Sequence, residues 1–284
     1  MDQLDVNVPL GDLAPNYKAL LCDAWGVIHN GVTLFDGAGE ALRQWRKTRG
    51  PVMILTNAPR PSDIIPAQLK RLGLPDDAYD GVVTSGDAVR AQIMQRLDSP
   101  IFRLGPDKDD PLYADLAITF TSMEEARYIV CTGLFDELGE TPEDYIELLQ
   151  KGVGRNIEMI CANPDIVVRW GDKLIYCAGA LAKIYEELGG TVIHGGKPHA
   201  PIYDLAMTRL IQLDGSLNTS DILAIGDGLQ TDILGANLHN IDVAYVHGGG
   251  GIHQAAQSGE EQTIASILHD NGVHAVAGME TLKW

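Results

Sequence analysis

Three short aliphatic runs, at 19–22 (Ala-Leu-Leu-Cys), 52–55 (Val-Met-Ile-Leu) and 222–225 (Ile-Leu-Ala-Ile), lead into Asp23, Thr56 and Gly226-Asp227. Each is followed by a segment of helical periodicity. Strands that are apolar on both faces belong to parallel sheets, where crossover helices cover each side. The chain is therefore expected to be α/β, with a doubly wound parallel-sheet core. Ligands of such sheets bind beyond the carboxyl ends of the strands, so Asp23, Thr56 and Asp227 are expected to meet in one crevice.

The helical segments carry ordinary core stripes. Leu42 and Trp45 recur within 39–49, and Ile202, Leu205, Ala206 and Leu210 within 200–213, as the buried face of an amphipathic helix requires. A length of 284 residues suits roughly two domains. The middle of the chain reads as the second one. It has Pro- and Asp-rich connections at 105–111, alternating runs at 128–132 and 159–162, and helix-like segments at 142–152 and 178–188. Residues 1–85 and 190–284 are expected to form the core, and residues 86–189 an inserted, smaller α/β cap. The Gly-rich stretch 247–251 reads as a loop after a strand.

Composition excludes several classes of function. With 45% hydrophobic and 21% charged residues, the chain is neither disordered nor fibrous. Its net charge of −18 opposes a phosphodiester backbone, so nucleic acid is not an expected partner. A small anion is still compatible with it, because a bound divalent cation and local N–H groups can reverse the potential inside one cleft. No apolar stretch reaches the roughly 20 residues that span a bilayer, and the amino terminus lacks a signal-peptide pattern. The four cysteines, Cys22, Cys131, Cys161 and Cys177, lack CxxC spacing, which argues against a disulfide framework or zinc site. A cytoplasmic protein without a membrane partner is the expectation.

Four polar segments carry chemistry. Leu20-Leu21-Cys22-Asp23-Ala24-Trp25-Gly26-Val27 ends a strand on a carboxylate, which alone could be a helix cap. Ile54-Leu55-Thr56-Asn57 offers a hydroxyl and backbone N–H groups that can hold phosphate oxygens, or a turn initiated by Asn. Gly195-Gly196-Lys197-Pro198 allows close backbone approach beside one Lys, which alone could simply be solvated. Ile225-Gly226-Asp227-Gly228-Leu229-Gln230-Thr231-Asp232 puts two carboxylates on one loop before a helix expected near Thr231, an oxygen set that suits Mg²⁺.

In this order the four segments resemble the motifs of the haloacid dehalogenase superfamily, and most of all its class IIA branch of NagD-like and p-nitrophenyl-phosphatase-like proteins. Cys161-Ala162-Asn163-Pro164-Asp165, with Gly179-Ala180-Leu181 beyond it, is similar to the cap-to-core segment of that branch. Gly26, Val27 and Gly31 are similar to its first motif. The resemblance covers nearly the whole chain. It implies that Asp23 is a nucleophile forming a phosphoaspartyl intermediate, and that Thr56 and Asn57 hold the phosphoryl oxygens. Lys197 would neutralise the phosphate and orient Asp23. Asp227 would ligate Mg²⁺ with Asp23 and the Trp25 main-chain carbonyl, and Asp232 would act on the metal waters or Lys197. The implied substrate is a small phosphorylated metabolite. Members of the branch often dimerise through the cap, so the resemblance allows a homodimer without deciding it.

One position departs from the pattern. Phosphatases of the superfamily carry a second Asp two residues after the nucleophile, and here that residue is Trp25. An indole can neither give nor take the proton that catalysis moves there at neutral pH. General acid–base help is worth about 10²–10⁴-fold, so acyl or aryl phosphates, with acidic leaving groups, should suffer least. His29 is the nearest titratable side chain, with a structural hydrogen-bond donor as its plainer reading; Asn163 and Asp165 read as turn residues that could also meet ligand. Three functions fit: a Mg²⁺-dependent phosphate-ester hydrolase with altered acid–base chemistry, a phosphoryl-ligand-binding or regulatory protein with little turnover, and a dehalogenase-like hydrolase. The persistence of Asp227 and Asp232 speaks against the last.

Overall fold

The computed structural model of the chain describes residues 4–248 and 263–284. After the single turn α1 (Leu10–Leu13) come β1 (Ala19–Cys22), α2 (Ala38–Thr48), β2 (Val52–Thr56), α3 (Ile65–Leu72) and β3 (Gly81–Thr84). Helix α4 (Ser85–Met94) leads away to β4 (Ile101–Leu104), β5 (Tyr128–Cys131), α5 (Ile146–Gly154) and β6 (Glu158–Cys161). A hairpin, β7 (Val167–Trp170) and β8 (Lys173–Tyr176), then precedes α6 (Ala178–Glu187) and β9 (Thr191–His194). The chain returns through α7 (Ala200–Leu213), β10 (Ile222–Gly226), α8 (Leu234–Leu238), β11 (Asp242–Val246), α9 (Ile264–Asp270) and β12 (Ala277–Met279).

The larger sheet has the order β12-β11-β10-β1-β2-β3, parallel throughout. Its strands alternate between two cores. Leu20, Cys22 and Ile54 pack on one face with Leu42 and Trp45 of α2. Leu21, Met53 and Leu55 pack on the other with Ile202, Ala206 and Leu210 of α7. Strand β1 lies between β10 and β2, so the direction of winding reverses beside it, and the carboxyl ends of these strands open onto one crevice. The expected α/β doubly wound core is present.

The second sheet, β4-β5-β6-β9, is also parallel. The run at 128–132, read as alternating, proves to be covered on both faces. Ile129 and Cys131 meet Leu149 and Leu181 of α5 and α6, while Tyr128 and Val130 meet Val89 and Ile93 of α4. Strand β9 lies in the segment assigned from sequence to the core, yet it pairs with β6. The second sheet therefore extends to His194, because Val192 completes the packing around α6.

The antiparallel β7–β8 hairpin was not expected. Its turn uses Gly171 at φ 58°, the left-handed conformation that a two-residue Gly-Asp loop supplies at little steric cost. The stretch 247–251 begins beyond β11, and its residues from Gly249 on lie outside the described residues. No helix among the described residues is long and apolar enough to cross a membrane.

Candidate active site

The segments ending at Asp23, Thr56, Lys197 and Asp227 do meet. Lys197 is 2% exposed, and its ammonium group donates to Asp23 Oδ1 at 2.5 Å, to Asp232 Oδ1 at 2.7 Å and to the Leu55 carbonyl at 3.0 Å. An ammonium has three donors and no acceptor, so all of its capacity goes to oxygens of Asp23, Leu55 and Asp232. Carboxylate oxygens of Asp23, Asp227 and Asp232 lie within 4.8 Å of one another.

Close backbone approaches make this possible. Gly26 sits at φ 90°, and a Cβ there would lie 2.0 Å from Asp227 Oδ2. Only a glycine lets the Asp227 carboxylate turn in beside Asp23. A Cβ at Gly196 would lie 2.4 Å from Asn57 Oδ1, and that oxygen accepts the Lys197 main-chain N–H at 2.7 Å. The Asn57 amide nitrogen donates to Asp165 Oδ1 at 2.9 Å and to the Lys197 carbonyl at 3.3 Å. Asn57 thus spends its side chain on clamping the Lys197 loop, which leaves its main-chain N–H for any phosphoryl oxygen. Thr56 lies next to it, 8% exposed, with Oγ1 accepting from Ala58 N–H at 3.3 Å.

Asp232 does not sit on an α-helix beginning near Thr231, as the sequence suggested. Residues Leu229–Ile233 form a π-helical turn, and α8 follows it. The wider turn, a form that recurs at functional sites, lets Asp232 Oδ2 reach back to the Gly228 N–H at 3.1 Å while Oδ1 faces Lys197.

One ammonium against three buried or half-buried carboxylates leaves an excess of negative charge. Burial pushes the Asp23 carboxyl up to about 8 despite Lys197, and burial together with the Asp23 charge holds Asp227 well above the usual carboxylate range. Burial opposes the Lys197 charge, but Asp23 and Asp232 outweigh it and hold the ammonium protonated. Clustered hard oxygens with uncompensated negative charge suit a divalent cation such as Mg²⁺, and Asp23 and Asp227 are residues that could hold it. The turn after Asp23 also leaves the Trp25 carbonyl outside its own bonding: the Gly26 N–H goes to His29 O, and the Ile28 and His29 N–H groups go to Ala24 O.

A cavity of about 430 Å³ opens over these groups. Trp25 forms part of its lining, and its indole N–H donates to the Arg169 carbonyl on β7 at 2.9 Å. His29 is 3% exposed and packs edge-on against Trp25 at 5.3 Å. Burial lowers it to about 4, and its Nδ1 accepts the Gly31 N–H at 3.0 Å. That ring is a structural acceptor rather than the expected donor. Asn163 has a turn role, accepting the Asp165 N–H at 3.1 Å, whereas Asp165 lines the cavity.

Sequence reasoning missed most of the rest of the lining: Arg169, Lys183, Glu186, His194 and His199. The two histidines flank the Gly-Gly-Lys-Pro segment, a spacing that could have drawn notice, and their rings stack at 4.4 Å. Nothing in the local pattern of 167–176 pointed toward a crevice built by residues so far away in the chain.

Residues 20–119 match the family model of haloacid dehalogenase-like hydrolases, and residues 194–273 match that of HAD-hydrolase-like proteins. A haloacid dehalogenase-like hydrolase from Brucella suis 1330 is 42% identical, with a TM-score of 0.88 over 98% of this chain and 100% of that one. A structure described as a possible sugar phosphatase of the HAD superfamily, from Cytophaga hutchinsonii, is 24% identical, with a TM-score of 0.79 over 98% of each chain. The glycerol phosphate phosphatase of Mycobacterium tuberculosis, in complex with magnesium, is 22% identical, with a TM-score of 0.63 over 83% of this chain and 69% of that one. Among curated proteins none matches by sequence. With its motif-bearing strand ends gathered at one crevice and a relative 42% identical along its full length, the chain belongs to the haloacid dehalogenase-like hydrolase family.

Proposed function

We propose that the protein is a Mg²⁺-dependent phosphatase of small phosphorylated metabolites, with acid–base chemistry altered by Trp25. The observation that carries this reading is the Lys197 ammonium bonded to both Asp23 and Asp232, with the Asp227 carboxylate in the same cluster. Phosphoryl transfer asks mainly for an in-line nucleophile and fixed positive charge around the phosphoryl oxygens.

In this reading an Asp23 carboxylate oxygen attacks phosphorus. The ester P–O bond breaks, its electron pair leaves on the departing oxygen, and a phosphoaspartyl intermediate forms. Water then attacks phosphorus and breaks the acyl-phosphate bond, which regenerates the Asp23 carboxylate and releases inorganic phosphate, while the proton that the water loses makes up, through solvent, the one the departed oxygen takes. Lys197 orients Asp23 and neutralises the phosphate, Thr56 Oγ1 and the Asn57 N–H hold phosphoryl oxygens, and Asp232 fixes Lys197. Mg²⁺, held by Asp23, Asp227 and the Trp25 carbonyl, would supply positive charge beside those oxygens. Trp25 offers no proton to the departing oxygen, so substrates with acidic leaving groups turn over best. The four buried free thiols accord with the cytoplasmic setting that belongs to this reading.

The test is release of product from p-nitrophenyl phosphate or acetyl phosphate by purified protein with Mg²⁺, abolished by Asp23→Asn. The engagement of the Trp25 indole with Arg169 favours a second reading, a phosphoryl-ligand-binding protein with little turnover. Saturable Mg²⁺-dependent phosphate binding with no hydrolysis across a broad ester panel would select it. Halide release from haloacids without metal would instead select the dehalogenase-like reading.

A further inference from the structure

Arg169 differs from the other half-buried arginines of this acidic chain. Arg43, Arg46, Arg96, Arg103 and Arg209 each pair with a carboxylate. The guanidinium of Arg169 has neither an ion-pair nor a hydrogen-bond partner among the described residues, and its Nε is buried without one. The residue is only partly exposed and lines the cavity over Asp23. Its backbone is fixed: β7 pairs Arg169 with Leu174 of β8, and its carbonyl accepts the Trp25 indole N–H. A guanidinium remains charged and presents a planar fork of five donors. A buried donor left unpaired in a native structure calls for a partner from outside the chain.

That partner is not the phosphoryl group to be cleaved, for which the crevice floor already supplies Lys197 and the carboxylate cluster suited to a cation. We propose that Arg169 is a specificity-determining residue, which selects phosphorylated substrates carrying a second anionic group, a carboxylate or a second phosphate. This rests on the phosphatase reading of the floor. Both groups match the guanidinium fork in bidentate fashion. Lys183 lines the same cavity and adds positive charge, while Glu186, also in the lining, is engaged with His194 at 3.2 Å.

Non-hydrolysable phosphonates separate the two layers of the argument, because they read binding without turnover. Propylphosphonate, 3-phosphonopropionate and propane-1,3-bisphosphonate are titrated calorimetrically, with Mg²⁺, into wild type, Arg169→Gln and Arg169→Lys. Wild type is expected to bind at least one of the doubly anionic ligands about 10- to 100-fold more tightly than propylphosphonate, the span of one charge-assisted hydrogen-bonded contact. The ligand that gains tells carboxylate from phosphate. Arg169→Gln should reduce the preference to within about twofold, and Arg169→Lys should keep part of it, since a point charge lacks the fork. Equal affinities in wild type, or a preference that survives Arg169→Gln, overturn the inference alone. Absence of Mg²⁺-dependent binding by all three ligands overturns the reading of the floor and the inference with it. If Arg169→Gln also loses propylphosphonate, Arg169→Lys decides, and a preference undiminished there overturns the inference.

Discussion

The indole N–H of Trp25 donates to the main-chain carbonyl of Arg169 at 2.9 Å. The residue standing where a catalytic carboxylate is expected therefore ties the loop after β1 to the β7–β8 hairpin. The same position cannot serve both purposes, because an Asp side chain is too short and lacks the donor for that bond. Under the proposed function, an anchor stands at the position of the proton carrier.

Replacing Trp25 tests that exchange. Trp25→Phe keeps the ring and loses the donor, which should cost about 0.5–1.5 kcal/mol and speed amide hydrogen exchange at 166–176. Trp25→Asp should raise kcat toward alkyl phosphates by about tenfold or more, as restored acid–base help allows, with a higher KM from the loosened hairpin. Steady-state kinetics on matched alkyl and aryl esters check it; no gain in kcat would mean that position 25 is not simply a vacant acid–base site.

Lys197→Met removes the ammonium bonded to both Asp23 and Asp232. Breaking a buried pair by deleting one partner costs about 3–5 kcal/mol, because the remaining carboxylates lose their compensation. Urea unfolding in EDTA should show that loss. Added Mg²⁺ should recover part of it by supplying the missing positive charge.

Divalent cation should stabilise the wild-type protein against heat. A ligand at about 100 times its Kd adds roughly 2.7 kcal/mol, a shift readable by scanning calorimetry. Asp227→Asn should remove most of that shift while leaving the Lys197 contacts with Asp23 and Asp232 in place. An equal Mg²⁺ response in wild type and variant would dissociate Asp227 from the metal.

Asp109 gives a pH signature away from the crevice. It is 1% exposed, with Arg60 Nε the nearest cation at 3.7 Å. Burial raises it to about 6, against the pull of Lys108 and Arg60. The folded state then binds its proton more tightly than the unfolded chain, so this contribution to stability is present below about pH 4 and is lost as pH rises toward about 6. The slope is about 1.4 kcal/mol per pH unit for one proton. Urea unfolding across that range should show it, and Asp109→Asn should flatten it and stabilise the protein at neutral pH.

The parallel core was legible because its strands are apolar on both faces: Leu20, Cys22 and Ile54 serve one core while Leu21, Met53 and Leu55 serve the other. The extent of the second sheet was less so. Thr191–His194 pairs with β6 across some thirty intervening residues, and no local pattern assigns a strand to one sheet rather than another. The convergence of Asp23, Thr56, Lys197 and Asp227 was readable from four ordered motifs. The spending of the Asn57 side chain on Asp165 and Lys197 was not, since a side chain's partner depends on what folding brings beside it.

The amino-acid order by itself determined the class of fold and the polar tips of the strands, because hydrophobic periodicity and strand-end chemistry are local properties. Only the tertiary structure decided what the cavity offers a ligand. The Trp25 anchor and the Arg169 guanidinium without a partner among the described residues depend on segments far apart in the chain, and burial and unmet charge exist only once such segments have excluded water from one another.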